Sequence, residues 1–278
     1  MRIANLDGRS TIVTPAGSID VEKATNGRFG SDIATLYGEW DAFRAAAEGI
    51  DETAAVPFDE LLLGAPSPRP AQVFGIGINY RAHAEETGAK LPKIPATFTK
   101  FPTCLAGPFA DVALPSEFVD WEVELVVIIG GRAEKVAVAD AWSHVAGLTI
   151  GQDLSERVVQ MAAGAQFSLG KSYPGFGPTG PWLVTPDELA DPNDLALGCS
   201  IDGETVQDAR TNDLVFTVAD LIAELSAVVA LLPGDIIFTG TPSGVGVARD
   251  PARFLQPGQV LESWIEGIGT IRNHLTAS

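Results

Sequence analysis

The segment Asp120-Trp-Glu122-Val-Glu124-Leu-Val-Val-Ile-Ile-Gly130 constrains the fold more than any other. In a strand, side chains at i and i+2 point to the same face. Glu122 and Glu124 therefore share a face, joined by Asp120 if the strand extends that far. Trp121, Val123 and Leu125 take the other face. From Leu125 to Ile129 the run is apolar on both sides, so the strand is expected to be buried. Two carboxylates at the mouth of a buried strand repel each other, which calls for protonation or a cation. A hard divalent ion meets that need. A solvated acidic strand end is the alternative and needs no ion.

Short strand-like runs recur along the chain. Strands are predicted over 72–75, 96–100, 121–129, 144–151, 195–201, 204–210, 235–239 and 260–265, separated by Gly/Pro turns. Asp202-Gly203 is a two-residue hairpin signal between two of them. One amphipathic helix is predicted, with Val218, Leu221, Ile222, Leu225, Val228 and Val229 on one stripe and Pro233-Gly234 as its stop. Strands dominate and do not alternate with helices. That argues against a doubly wound parallel sheet and for an α+β, mainly β barrel, roll or sandwich with few helices. Residues 1–65 read as a small N-terminal α/β domain. Asp7-Gly8 joins short strands at 2–5 and 10–13, and a helix follows Gly30 through Ile33, Leu36, Trp40 and Phe43. The prolines of Gly64-Ala-Pro-Ser-Pro-Arg-Pro70 place a boundary there, leaving 66–278 as the main domain.

Composition narrows the partners. The 278 residues carry 36 Asp plus Glu against 18 Lys plus Arg, a formal net charge of −18. Nucleic acid needs a basic footprint, and an anionic membrane surface would be repelled. The apolar run Leu125 to Ile129 falls far short of the ~20 residues that span a bilayer. Cys104 and Cys199 are too few for a disulfide framework or a Cys-rich zinc site. The N-terminus lacks a basic-then-apolar signal pattern, so a soluble cytoplasmic protein is expected.

Other segments carry chemistry-bearing side chains. Asp153 follows the apolar run at 145–151 and is either a further carboxylate of the cluster or the N-cap of the next helix. Arg157 and Gln160 follow it at helical spacing. The stretch Gly75-Ile-Gly-Ile-Asn-Tyr-Arg-Ala-His83-Ala-Glu-Glu86-Thr-Gly88 begins like a phosphate loop. It lacks a third glycine, and no Gly-Lys-Ser/Thr follows, so nucleotide binding is rejected. Asn79 as N-cap and Gly88 as stop predict a two-turn helix, with His83 and Glu86 as i, i+3 neighbours; an exposed surface pair is the alternative. Lys171 opens the Gly/Pro-dense stretch 170–181, predicted to be an ordered irregular loop. Thr239-Gly240-Thr241-Pro242 offers backbone N–H and hydroxyl groups to a carboxylate or oxyanion. Turn chemistry alone would account for both loops.

In order, Gly-Ile-Asn-Tyr…His…Glu, then Asp-Trp-Glu-Val-Glu-Leu-Val-Val-Ile-Ile-Gly, Gln-Asp…Arg…Gln, Lys-Ser-Tyr…Gly-Pro and Thr-Gly-Thr-Pro-Ser-Gly-Val-Gly resemble the fumarylacetoacetate hydrolase family. The resemblance runs from Gln72 to Asn273. It implies a mixed β-sandwich roll, a homodimer, and a divalent metal held by three carboxylates. Carried over residue by residue, the ligands are Glu122, Glu124 and Asp153, suited to Mg²⁺ or Mn²⁺ with Ca²⁺ as a substitute. His83 and Glu86 match a water-activating dyad on a short lid helix, and Lys171 a catalytic position. Arg157, Gln160 and Thr241 match substrate contacts, and Tyr80 flanks the dyad on the substrate side. The implied partner is a small anionic oxo acid. The implied reaction is hydrolytic C–C cleavage of a 2,4-dioxo acid of acylpyruvate or fumarylpyruvate type through a metal-bound enolate. The same ligands serve the family's 2-hydroxyhepta-2,4-diene-1,7-dioate isomerases and oxo-acid decarboxylases. A metal-binding protein without turnover is the non-enzyme alternative. Three positions depart from the family pattern: Gln152 for Asn, Pro174-Gly175 for Asp-Thr, and Gln259 for Asp. The second lies beside the implied pocket and bears on substrate identity.

Overall fold

A computed structural model describes residues 1–164 and 166–278. The strand Val123–Ile129 pairs antiparallel with Val145–Gln152 on one side and Ile236–Phe238 on the other. Val73–Gly77 runs parallel to Ile236–Phe238, and Ala96–Thr99 forms that edge. In the other direction come Gly177–Val184 and then the N-terminal strands Arg2–Leu6, Arg9–Thr14 and Gly17–Asp20. Together with two short pairings these make an 11-stranded sheet. A five-stranded sheet orders Glu204–Arg210, Ala196–Ile201, Val260–Ile265, Gly269–Ala277 and Val112–Leu114.

The fold is therefore α+β and mainly β, with two sheets enclosing one core. Val123, Leu125, Val127 and Ile129 face that core with Leu197, Cys199, Leu261 and Ile271 of the smaller sheet. The alternate side chains face outward from the sandwich and are covered too. Val126 packs with Val73, Ile236 and Phe238, and Ile128 packs with Leu36, Trp40 and Phe43. Burial of each such side chain stabilises the fold by ~1.5–3 kcal/mol. The apolar run thus becomes a rigid platform, and its acidic end lies at the edge of that platform.

Several expectations hold locally. Asp202 and Gly203 both adopt positive φ, 51° and 85°, as a tight two-residue hairpin requires. The helix predicted through Ile33 to Phe43 buries the expected face. It is split into Ile33–Leu36 and Trp40–Ala47 by a 3-10 turn at Tyr37–Glu39, which contains Gly38.

Three expectations are corrected, and one strand was not predicted. The amphipathic helix ends at Ser226, so Val228 is 84% exposed rather than on the buried stripe. The stretch 170–181 is irregular only in its first part, because Gly177–Val184 is a strand paired on both sides. Glycine there lets the chains close up: a Cβ on Gly180 would stand 2.8 Å from Pro108. His144 ends the 3-10 helix Val138–His144 instead of lying in a strand. Gly269–Ala277 is an additional strand; it buries Ile271, Asn273 and Leu275 in strict alternation, and the polar Asn273 masks the pattern. Among the described residues no helix is long and apolar enough to cross a membrane.

Candidate active site

Strand geometry assembles the three carboxylates. Glu122 and Glu124 project from one face of the central strand. The backbone N–H of Asp153 donates to Glu122 O at 2.9 Å, continuing the antiparallel ladder by one step. Cross-strand neighbours point to the same face, so Asp153 joins the pair. All three are buried, and one oxygen from each lies within 4.8 Å of the others. The N-cap alternative for Asp153 fails, since Glu156 caps the helix Arg157–Ala162 through Val159 N.

Cationic side chains surround this cluster. Lys171 Nζ lies 2.7 Å from Glu122 Oε2 and 2.6 Å from Asp153 Oδ2. Lys100 Nζ donates to Asp153 Oδ1 at 2.6 Å, to Phe176 O at 3.1 Å and to Lys171 O. Arg157 Nη1 reaches Glu122 Oε1 at 2.8 Å, and Arg157 Nη2 reaches Asp120 Oδ2 at 2.7 Å. Asp120 also accepts from the N–H groups of Gly246 and Val247 at 2.7 and 2.9 Å, so it ties Arg157 to that loop. Burial alone would push the Glu122 carboxyl up, but Lys171, Arg157 and His83 hold it at about 2. Glu124 goes the other way. Burial, Asp153 and Glu122 raise its pKa well above the usual range, against the Lys171 charge and one hydrogen bond from Gly240 N at 2.7 Å.

That imbalance bears on a metal. The donor set is all hard oxygen, which suits Mg²⁺ or Mn²⁺. Among the described residues Glu124 has no direct ion pair, and a divalent ion would relieve its repulsion from Glu122 and Asp153. The nearby Tyr80 hydroxyl is buried with no hydrogen-bond partner. The three residues fit a divalent cation.

The predicted lid helix spans Arg81–Thr87 and ends on Gly88 at φ 66°. Its N-cap is Tyr80 rather than Asn79. The Asn79 side chain instead donates to Phe216 O at 3.0 Å and Thr239 O at 2.7 Å, and accepts from Phe216 N at 2.8 Å. On the helix, His83 Nδ1 and Glu86 Oε1 are 2.7 Å apart. Glu86 Oε2 accepts from Gly244 N at 2.9 Å, which joins the lid to the loop after Thr241. His83 is buried while Glu86 stays partly exposed, so the pair lies at the boundary between the cavity and the surface.

A cavity of about 350 Å³ collects six of the predicted residues on its wall: His83, Glu122, Arg157, Gln160, Lys171 and Thr241. Glu124 and Asp153 do not line it. Thr241 Oγ1 donates to Val123 O at 3.0 Å and accepts from Gln207 Nε2 at 2.8 Å. Tyr80 is fully buried and does not reach the wall. Sequence reasoning missed Lys100, the anchoring role of Asp120, and Gln152, whose Oε1 accepts from Glu122 N at 2.8 Å. Lys100 shares strand parity with the buried Phe98, and that was its only signal.

The family model described as fumarylacetoacetate (FAA) hydrolase C-terminal matches residues 72–276. The chain belongs to the fumarylacetoacetate hydrolase family. Within it, the human mitochondrial oxaloacetate tautomerase FAHD2A is 45% identical over 221 residues, 78% of this chain and 70% of its own. A Mycobacterium smegmatis protein provisionally called HpcE superposes with a TM-score of 0.94 at 50% identity, over 100% of both chains. Maleylpyruvate hydrolase from Sphingobium sp. SYK-6, solved with manganese(II) and pyruvate, gives a TM-score of 0.81 at 29% identity, also over 100% of both. The chain is an enzyme of this family, whose members include hydrolases, isomerases and tautomerases.

Proposed function

We propose that the protein is a divalent-metal-dependent hydrolase that cleaves the C–C bond of a small 2,4-dioxo acid of acylpyruvate type and releases pyruvate. The observation that carries this reading is that His83, held by Glu86 at 2.7 Å, lines the same cavity as Glu122 of the acidic cluster. Glu122, Glu124 and Asp153 would hold the ion, which when bound supplies Lewis-acid polarisation of the 2-oxo group. Glu86 engages His83 Nδ1, which leaves Nε2 to accept the proton of water as it attacks the distal carbonyl. The pyruvate fragment departs as an enolate. Lys171 and Arg157 bring positive charge to the wall where that negative charge develops. His83, now protonated, returns the proton. Gln160 is suited to contact the substrate's carboxylate end, and Thr241, whose hydroxyl hydrogen is held by Val123 O, would offer its backbone N–H there.

A second reading is keto–enol tautomerisation of an oxo acid, favoured by the 45% identity to an oxaloacetate tautomerase. There His83 would move a proton to and from carbon, and no bond between carbons would break. An ultraviolet assay in Mg²⁺ or Mn²⁺ separates the two. Hydrolysis removes the diketone absorbance with one pyruvate per turnover, whereas tautomerisation re-equilibrates oxaloacetate without pyruvate. His83→Ala should lower cleavage by ~10²–10⁴-fold. Undiminished cleavage in that variant would remove the dyad from the mechanism.

A further inference from the structure

We infer that the outer half of the cavity selects an oxo acid whose distal end is apolar and uncharged, over a dicarboxylate of equal length. This deepens the reading above and rests on it. Besides its charged and polar groups, the wall carries six large apolar side chains, Ile76, Ile78, Phe98, Met161, Phe167 and Val247, and the hydroxyl of Thr87 beside them is spent on His83 O at 2.8 Å. The apolar wall begins directly at the ammonium: Lys171 Nζ lies 5.1 Å from the Phe98 ring centroid. Phe98 meets Phe167 edge-on at 5.9 Å. Phe98 is also seated closely on the backbone of Gly75, where a Cβ would stand 2.3 Å from the ring. It is therefore a fixed surface and not a mobile flap.

Ile78 strengthens the case. Its φ is 52°, in the left-handed region that strains a β-branched residue. Glycine or asparagine would sit there at less cost. Isoleucine places an aliphatic side chain on the cavity wall at a position where the backbone does not favour it.

Charge points the same way. The cationic side chains on the wall are Arg157 and Lys171, and both are engaged by carboxylates at the inner end. His83 is engaged by Glu86. A second carboxylate on the substrate would lie among aromatic and aliphatic side chains with no cation to meet it, and burying an unpaired charge is costly. An alkyl or aryl tail would gain from the same surface. The volume, about 350 Å³, suits a small ligand.

The experiment uses the Mn²⁺-loaded protein and two stable 2-oxo acid mimics of equal length, N-butyloxamate and N-(3-carboxypropyl)oxamate. Calorimetry should give the butyl compound a Kd lower by ~100-fold or more. Met161 is 61% exposed at the rim, so Met161→Lys should leave the fold intact. It should raise affinity for the carboxypropyl compound several-fold without improving the butyl one. Equal or tighter binding of the carboxypropyl compound by the unaltered protein overturns the inference, as does failure of both to bind. Pyruvate release is scored separately. If acylpyruvates are not cleaved but the butyl preference stands, the hydrolase reading falls and the selectivity remains. If fumarylpyruvate is cleaved faster than an alkyl acylpyruvate, the selectivity falls and the hydrolase reading remains.

Discussion

Lys100 shows what one side chain does for the cluster. Its ammonium is fully buried and is directed to Asp153 and two carbonyls, so one oxygen of Asp153 is fixed and the other is turned toward Lys171. Without Lys100, Asp153 keeps only Lys171, and one of its oxygens and the carbonyls of Lys171 and Phe176 lose their donor. Lys100→Met should therefore destabilise the metal-free protein by ~1–3 kcal/mol in a denaturant titration. Loss of an outer orienting partner should also weaken Mn²⁺ binding by ~10–100-fold. A variant that binds Mn²⁺ as tightly as the parent would show that Asp153 needs no such anchor. The sequence made Glu122 and Glu124 legible because a strand repeats every two residues. It left Asp153 between two roles, since only the antiparallel ladder sets it beside Glu122. Lys100 had only its strand parity with Phe98 to mark it, and a lone lysine at a strand end is ordinarily solvated.

At the scale of elements, the strands with clear apolar runs were readable and those built on glycine, proline or asparagine were not. Gly177–Val184 takes its place from neighbours on both sides, not from its own propensity. The helix Arg81–Thr87, the proposed lid, was readable from its stop at Gly88 and its His83–Glu86 spacing, but its anchor was misassigned. Asn79 does not cap the helix; it fastens the chain before it to Phe216 and Thr239 by three hydrogen bonds. Asn79→Ala removes them and leaves buried backbone groups without partners, at ~1–3 kcal/mol. Amides of Arg81–Thr87 should then exchange with solvent faster than in the parent, while those of Val123–Ile129 keep their protection. Unchanged exchange in the lid would mean that the Glu86–Gly244 contact holds it without Asn79.

Across the whole molecule, a net charge of −18 coexists with a cluster that gathers three cationic side chains around its carboxylates. The two titrating carboxylates of the central strand respond to pH in opposite directions. Glu124, raised by burial and by Asp153 and Glu122, gives its full contribution to stability below the usual carboxylate range. That contribution is lost as pH rises through its raised value. Glu122, held at about 2, contributes above the usual range and loses that contribution only in strong acid. A divalent ion needs the cluster deprotonated, so it competes with the proton on Glu124 and its binding strengthens as pH rises. Stabilisation by Mn²⁺ at 100 times its Kd amounts to ~2.7 kcal/mol, and the Tm shift from a fixed Mn²⁺ concentration should grow across a pH range that starts in the usual carboxylate range and extends upward. Glu124→Gln abolishes the titration and removes a proposed ligand, so its shift should be small and flat with pH. A parent protein whose Mn²⁺-induced shift is the same at both ends of that range would place the ion away from Glu124.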